Sequence, residues 1–450
     1  MKRTRVAALI GALTVSLCPE LGARLQVQDQ STVDAEEQAA SESPSFFAPE
    51  AELRDYVNEA LDANPAVRER LARYRAALER VPQVSTLSDP VFSFTQAIRS
   101  AESRVGPQLN SYVLSQAFPW FGKLDLRGQV AAQEALSMFE IYRATQHEII
   151  ARVKSAFYEL AYVDKALEIT REEQSLLEHY EALAQTRYAT GQGLQQSVIR
   201  LQAEITRVVN RLDILGQQRT SLEARLNTLA DRPPHTSVTP AAELTLPEVT
   251  LDLEELYALG DENRQELKAA AERIEKSERA IELAKKDYWP NFFLGVGIVN
   301  VGERSDPAGV ALPPPDNGKN VVSVSAGINI PLWRNKYDAG IREASETLLA
   351  ERSGYAELRN EMEFSIRDQV NRLQTFQEQI RLFERVLIPQ AEATLHATEA
   401  AYETGQLGVL DLLDSERVLL NARIVNARFY SDLLSALSSL ERAIGTRFPR

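Results

Sequence analysis

Apolar residues from position 355 onward keep a helical step for more than thirty residues. Tyr355, Leu358, Met362, Ile366, Val370, Leu373, Phe376, Ile380, Phe383 and Leu387 are spaced by about 3.56 residues on average, between the straight-helix and coiled-coil periods. Such a stripe predicts a long helix from about Asp338 to Thr404, with a kink at Pro389, where an interior proline removes a backbone donor. A second long pattern, from Leu124 to about Ala189, contains no proline or other strong break. Its 66 residues predict a helix of about 100 Å at 1.5 Å per residue. No single globular domain requires that length.

Shorter helices surround these two. One is predicted over 51–81, carrying Leu53, Val57, Leu61, Leu71 and Leu78, with a break or restart at Pro65 and an end bracketed by Pro82 and Pro90. Others are predicted over 194–230, 251–288 and 406–446. Laid end to end in pairs, the short helices match the long ones on antiparallel returns.

Where helical spacing stops, alternation with period two takes over. Val91 to Ile98 and Ser111 to Phe118 read as strands around a loop at Gly106 and Pro107. In the second half Phe292, Leu294, Val296 and Ile298 share one face with Gly295 and Gly297 opposite. From Val322 to Ile330, Val322, Val324, Ala326, Ile328 and Ile330 alternate with Ser323, Ser325, Gly327 and Asn329. Apolar-out, polar-in strands flanked by aromatic residues are what a membrane barrel requires. The flanking aromatics are Trp120, Phe121, Tyr288, Trp289 and Trp333. Four strands cannot close a barrel, and an open edge cannot face lipid, so several chains must contribute.

The order helix, hairpin, long helix, helix occurs twice. Pro90 and Pro290 are offset by 200 residues, Pro119 and Pro331 by 212, and Tyr188 and Tyr402 by 214. The offset jumps only across the strand loop, where insertions are tolerated best. The pattern predicts an internal duplication. Each copy carries a Tyr-x-Thr-Gly break between its long helix and the returning one: Tyr188, Thr190 and Gly191, then Tyr402, Thr404 and Gly405. Past the second break stand Asp411 and Asp414, opposite Ser197 and Arg200 of the first copy at offset 214.

The ends and joints complete the organisation. Residues 1–23 combine a Lys/Arg-rich start with a short apolar stretch, as a secretory signal peptide does. Cleavage after Ala23 removes the sole cysteine, Cys18, and shifts the net charge from -14 to -16 by taking three cations and one anion. The other reading of Cys18 is a lipid-attachment cysteine, against which Leu17 is large for the preceding position. An extended arm is predicted over 24–50. The first repeat spans 51–232, with a β-hairpin over 90–119 and a helical hairpin over 124–230. A proline-rich linker over 233–250 leads to the second repeat, 251–446, with a β-hairpin over 290–331 and a helical hairpin over 338–446.

Charge and motif content restrict the chemistry. A net charge of -14 without a basic tract disfavours nucleic acid. No phosphate-binding loop, nucleophile elbow, His-Glu-x-x-His or cysteine pair occurs, so no catalytic residue, cofactor site or metal site is expected and the chain is read as a non-enzyme. His147, His179, His235 and His396 are scattered, whereas zinc needs clustered donors.

The duplicated order, the run from Phe118 to Lys123, the run from Ile330 to Trp333 and the two Tyr-x-Thr-Gly breaks together resemble the outer-membrane efflux family, the TolC-like exit ducts of tripartite pumps. The resemblance covers nearly all of the mature chain. It implies a mainly α fold with a membrane β-barrel: a homotrimer with a twelve-stranded barrel in the lipid of the Gram-negative outer membrane, continued by a periplasmic α-barrel. It further implies tips that close the channel and dock a periplasmic adaptor (membrane-fusion) protein linked to an inner-membrane pump of the RND or another type. Within the family, the run from Ser115 to Leu124 looks most like the branch serving heavy-metal cation pumps. Asp411 and Asp414 match the aspartates that ring the periplasmic constriction, and Arg200 is expected to pair with one of them when the tip is closed. The competing reading is a secreted or periplasmic coiled-coil scaffold without a pore. It accounts for the long helices and leaves the apolar strand faces unexplained.

Overall fold

The computed structural model describes residues 50–239, 244, 246 and 252–448. The predicted signal peptide, nearly all of the arm and most of the linker's second half lie outside the described residues.

The first helical segment divides where proline predicts, into α1 (Glu50–Ala63) and α2 (Pro65–Ser85), with Asn64 capping α2 by accepting from the Ala66 N–H. α2 ends at Ser85, between Pro82 and Pro90, with Pro82 inside its last turn. After β1 (Val91–Gln96) and β2 (Gln108–Phe118) comes α3 (Lys123–Ala189), an unbroken helix of 67 residues. The return helix α4 covers Gln195–Leu229.

The second half repeats that order. The expected single helix over 251–288 is two, α5 (Leu253–Asn263) and α6 (Gln265–Lys286), separated by Arg264 in an extended conformation. β3 (Phe292–Val301) and β4 (Val321–Ile328) enclose a five-residue helix that alternation did not anticipate, α7 (Pro307–Ala311). α8 (Arg334–Leu382) passes through a π-helical turn, Phe383–Leu387, into α9 (Ile388–Glu403), and α10 (Val409–Ile444) returns. The π turn stands just before Pro389. Widening the ladder, so that the Ile388 N–H reaches the Phe383 carbonyl, accommodates a ring that would clash in a regular α-helix.

Packing explains the helix lengths. The long α3 lies against α4 in one half, against α2 and α6 in the other, and against α10, while α8 packs on α6 and α10. The periodic stripe is the buried face of α8: Met362, Ile366, Val370, Leu373 and Ile380 join Leu433 and Leu440 in one core cluster. A separate cluster at the hairpin end joins both copies through Leu177, Leu201, Leu395, Leu412 and Leu413. Among the described residues no helix is long and apolar enough to cross a membrane.

The four strands form one antiparallel sheet in sequence order, with β1 and β4 as its edges. Register places Phe92, Leu114, Val296 and Val324 in one cross-strand row and Phe94, Tyr112, Ile298 and Val322 in the next. All eight side chains are exposed, Val324 at 79%. The opposite face mixes Ser93, Ser115, Ser323, Ser325, Gly295 and Gly297 with Val91, Val113 and Phe293. Ser323 and Ser325 lie over Gly297 and Gly295, where an added Cβ would stand 2.9 and 2.6 Å from the serine hydroxyls.

Candidate functional site

Both Tyr-x-Thr-Gly breaks fold into the same kind of turn. Gly191 accepts a positive φ of 75° and Gly405 one of 79°, the left-handed conformation that glycine adopts without a Cβ penalty. The Gln192 N–H then reaches back to the Arg187 carbonyl at 2.9 Å and the Gln406 N–H to the Ala401 carbonyl at 2.8 Å. These six-to-one bonds close a Schellman-type helix end. Thr190 and Thr404 each hold the last turn with hydroxyl bonds of 3.1 Å to two carbonyls. Tyr188 is exposed, whereas Tyr402 is buried in the cluster shared by the two copies.

Arg187 lies over the Tyr402 ring. The guanidinium lies 5.2 Å from the Tyr402 ring centroid and donates to the carbonyls of Tyr402 and Glu403. One tip is thus clamped to the other. Periodicity gave no sign of this clamp; the available signal was that Ala401 stands opposite Arg187 at offset 214, so only one copy supplies the cation.

The acidic pair divides its roles. Asp411 lies in the first turn of α10 and accepts from the Gly408 N–H at 3.2 Å, satisfying one of the donors orphaned at a helix start. Asp414 is 75% exposed at its side chain and lies 3.6 Å from Arg417, one turn on. Ser197 and Arg200 occupy the matching first turns of α4 and are half-buried. Among the described residues no ion pair joins Arg200 to either aspartate within one chain.

Above the tips, Glu173 of α3 and Glu416 of α10 are each 5% exposed. Burial pushes the Glu416 carboxyl up to about 8, with the charge of Glu173 adding to it. Burial likewise raises Glu173 to about 7, against the pull of Arg211. The Tyr180 hydroxyl donates to Glu399 nearby. Sequence reading passed over both buried acids, because charge on a helix ordinarily signals a solvated face.

At the other end the sheet meets the helices through a second device. Lys123, the first residue of α3, is buried and donates to the Trp289 carbonyl and to Asn291 Oδ1, both at 3.2 Å, and sits 3.3 Å from Asp287. Trp120 stacks on Trp289 at 4.8 Å and on Phe292 at 5.4 Å, so both copies build the junction. Phe121 and Trp333 are exposed at 76% and 75%, and Tyr288 packs on Tyr337. Trp120, Phe121, Trp289 and Phe292 thus form one connected aromatic group at the junction of sheet and helices.

Residues 256–446 match the family described as "Outer membrane efflux protein". "Outer membrane protein TolC" of Vibrio cholerae is 24% identical over 417 residues, covering 88% of this chain and 90% of that protein. The chain is similar to the outer membrane efflux proteins in its second half. Solved channels share its fold. The outer membrane protein VceC of Vibrio cholerae has a TM-score of 0.73 at 21% identity, covering 89% of this chain and 97% of that one. CusC, whose structures describe folding and transmembrane channel formation, has a TM-score of 0.72 at 17% identity, covering 89% and 94%. TolC and VceC are outer membrane proteins, and the likeness extends over about nine-tenths of this chain.

Proposed function

We propose that three copies of this chain form the exit duct of a tripartite efflux system and passively conduct substrate from periplasm to exterior. The observation that carries this reading is the open four-stranded sheet, with continuous exposed apolar rows on one face and serine–glycine pairs among the residues of the other. Its even strand number keeps antiparallel alternation when β4 of one copy pairs with β1 of the next. Three such sheets make twelve strands and leave no edge facing lipid. Ten residues of β3, at about 3.3 Å each and tilted by about 40°, span about 25 Å, the height of an outer-membrane apolar band.

The two element runs that repeat one another are, in this reading, products of an internal duplication, with hairpins that become neighbouring walls of a helical barrel. The tips at Tyr188 to Gly191 and Tyr402 to Gly405 are the docking surface for a periplasmic adaptor that connects to an inner-membrane pump. Asp411 and Asp414, threefold repeated, place six carboxylates around the constriction, a ring that concentrates cations and disfavours anions. Arg200 meets these aspartates across the protomer boundary when the tip is closed. Nothing in the chain suggests catalysis, so transport energy is supplied by the partner pump.

Membrane fractionation with chemical crosslinking tests the duct. Recovery from the outer membrane as a detergent-extracted trimer is expected, with ion conductance in a planar bilayer. A soluble monomer without conductance would overturn the duct and leave a pore-free helical scaffold.

A further inference from the structure

A cavity of about 340 Å³ opens between α3, α9 and α10, outside both the tip constriction and the sheet. Its lining interleaves apolar residues, Ile169, Leu176, Leu395, Leu419 and Leu420, with acidic ones. Most of the carboxylates are already matched. Glu172 and Glu392 share Arg423 at 3.6 and 2.8 Å. Glu399 takes the Tyr180 hydroxyl and lies 3.3 Å from His396, while Glu173 lies 3.5 Å from Arg211. On the adjoining face of α4, Glu204 engages Arg207 and Arg417 at 2.6 and 3.4 Å. Glu416 lines the same cavity, is 95% buried, and has no hydrogen bond or ion pair among the described residues.

We infer that this cavity is a binding site for an amphipathic organic monocation, its ammonium group seated on Glu416 and its alkyl portion along Leu176, Leu395 and Leu419. The size falls in the range of small-molecule sites, which are mostly apolar with few placed polar groups. A buried carboxylate without a partner is costly, and a cation that pairs with it offsets that cost. A divalent metal does not fit: among the described residues no three His, Cys, Asp or Glu side chains come together as ligands. Because the walls come from both repeats, occupancy is coupled to how closely the two hairpins pack.

The group competing for Glu416 is the proton. An alkylammonium stays charged to about pH 10, so binding strengthens as pH rises through the Glu416 transition near 8. Calorimetric titration of the full-length protein in lipid nanodiscs with n-butylammonium chloride, and separately with n-butanol, tests the site. Saturable butylammonium binding at pH 8.5 is expected, at least about tenfold weaker at pH 6 and at least about tenfold weaker in Glu416→Gln. Glutamine has the shape of the protonated acid, so that variant retains the fold. Binding is expected to persist in Asp411→Asn/Asp414→Asn. Absence of saturable binding, equal binding of butanol, or binding that follows the tip aspartates rather than Glu416 would each overturn the assignment.

Discussion

Arg187 holds Tyr402 from two sides at once, with its guanidinium 5.2 Å from the ring centroid and a donor on the Tyr402 carbonyl. The two residues belong to different helical hairpins, so the contact fixes one tip against the other. Lysine offers a point charge without the planar fork, and alanine removes the contact altogether. Arg187→Ala is therefore expected to favour tip separation by about 1–2 kcal/mol, roughly a tenfold shift in that equilibrium. Higher single-channel conductance and faster hydrogen exchange over 400–407 are the readouts. Arg187→Lys should fall between the variant and the parent.

The two tip glycines share a backbone conformation and differ in their surroundings. An added Cβ at Gly191 meets nothing within 4 Å, whereas at Gly405 it stands 3.0 Å from Arg187 Nη2. Alanine at either position costs about 1–2 kcal/mol for the left-handed conformation. Gly405→Ala should lose further stability by pushing the Arg187 clamp aside. Hydrogen exchange of the two hairpin ends measures both effects, and removing Arg187 should make the two alanine variants equivalent.

How far the sequence could be read depended on whether each feature has a local cause. Pro65 announces the break between α1 and α2, and the matching break at Arg264 has no proline to announce it. Its cause lies elsewhere in the chain: Gln265 donates to the Gly445 carbonyl at 3.0 Å, as Asn64 donates to the Leu229 carbonyl at 2.8 Å. Both breaks dock a side-chain amide on the end of a return helix, at Gly445 and near Asp231, two residues of positive φ that are themselves offset by 214 residues. Strand faces and tip turns were legible because alternation and glycine chemistry are local. The Arg187 clamp and the Glu173–Glu416 cavity join residues more than two hundred positions apart, and no periodicity encodes such a meeting.

Lys123 explains why the Phe-Gly-Lys run stands where sheet becomes helix. Its side chain is 4% exposed and serves oxygens of Asp287, Trp289 and Asn291, all in the other repeat. Methionine keeps the packing and leaves those acceptors without their donor. Lys123→Met is expected to cost about 2–4 kcal/mol, read as a lower melting temperature of the detergent-extracted protein. Trp120→Ala, which removes the stack on Trp289, should loosen the same junction.

The raised carboxyls predict a pH dependence of hairpin packing. Glu416 near 8 and Glu173 near 7 lie above the unfolded value of about 4.3. Between those limits the native state holds more protons than the unfolded state, so stability falls as pH rises through the window. This contribution is greatest at or below about pH 4 and declines to about pH 8, with a limiting slope of about 1.4 kcal/mol per pH unit for each group. Hydrogen exchange over α9 and α10 should accelerate across that range, and Glu416→Gln should flatten the dependence.

Asp411 carries two roles that one substitution can separate. Its carboxylate accepts from the Gly408 N–H at the start of α10, and it is also half of the proposed acidic constriction. Asparagine retains an acceptor and loses the charge, while alanine loses both; loss of such a first-turn acceptor costs about 1 kcal/mol. Asp414 forms no helix-start bond and faces solvent beside Arg417. If the pair forms the constriction, Asp411→Asn/Asp414→Asn should reduce cation selectivity in planar bilayers while hydrogen exchange at 409–412 stays near the parent rate. Asp411→Ala alone should speed that exchange about fivefold. Unchanged selectivity in the double asparagine variant would leave Asp411 as a helix cap only and move the constriction to another ring of residues.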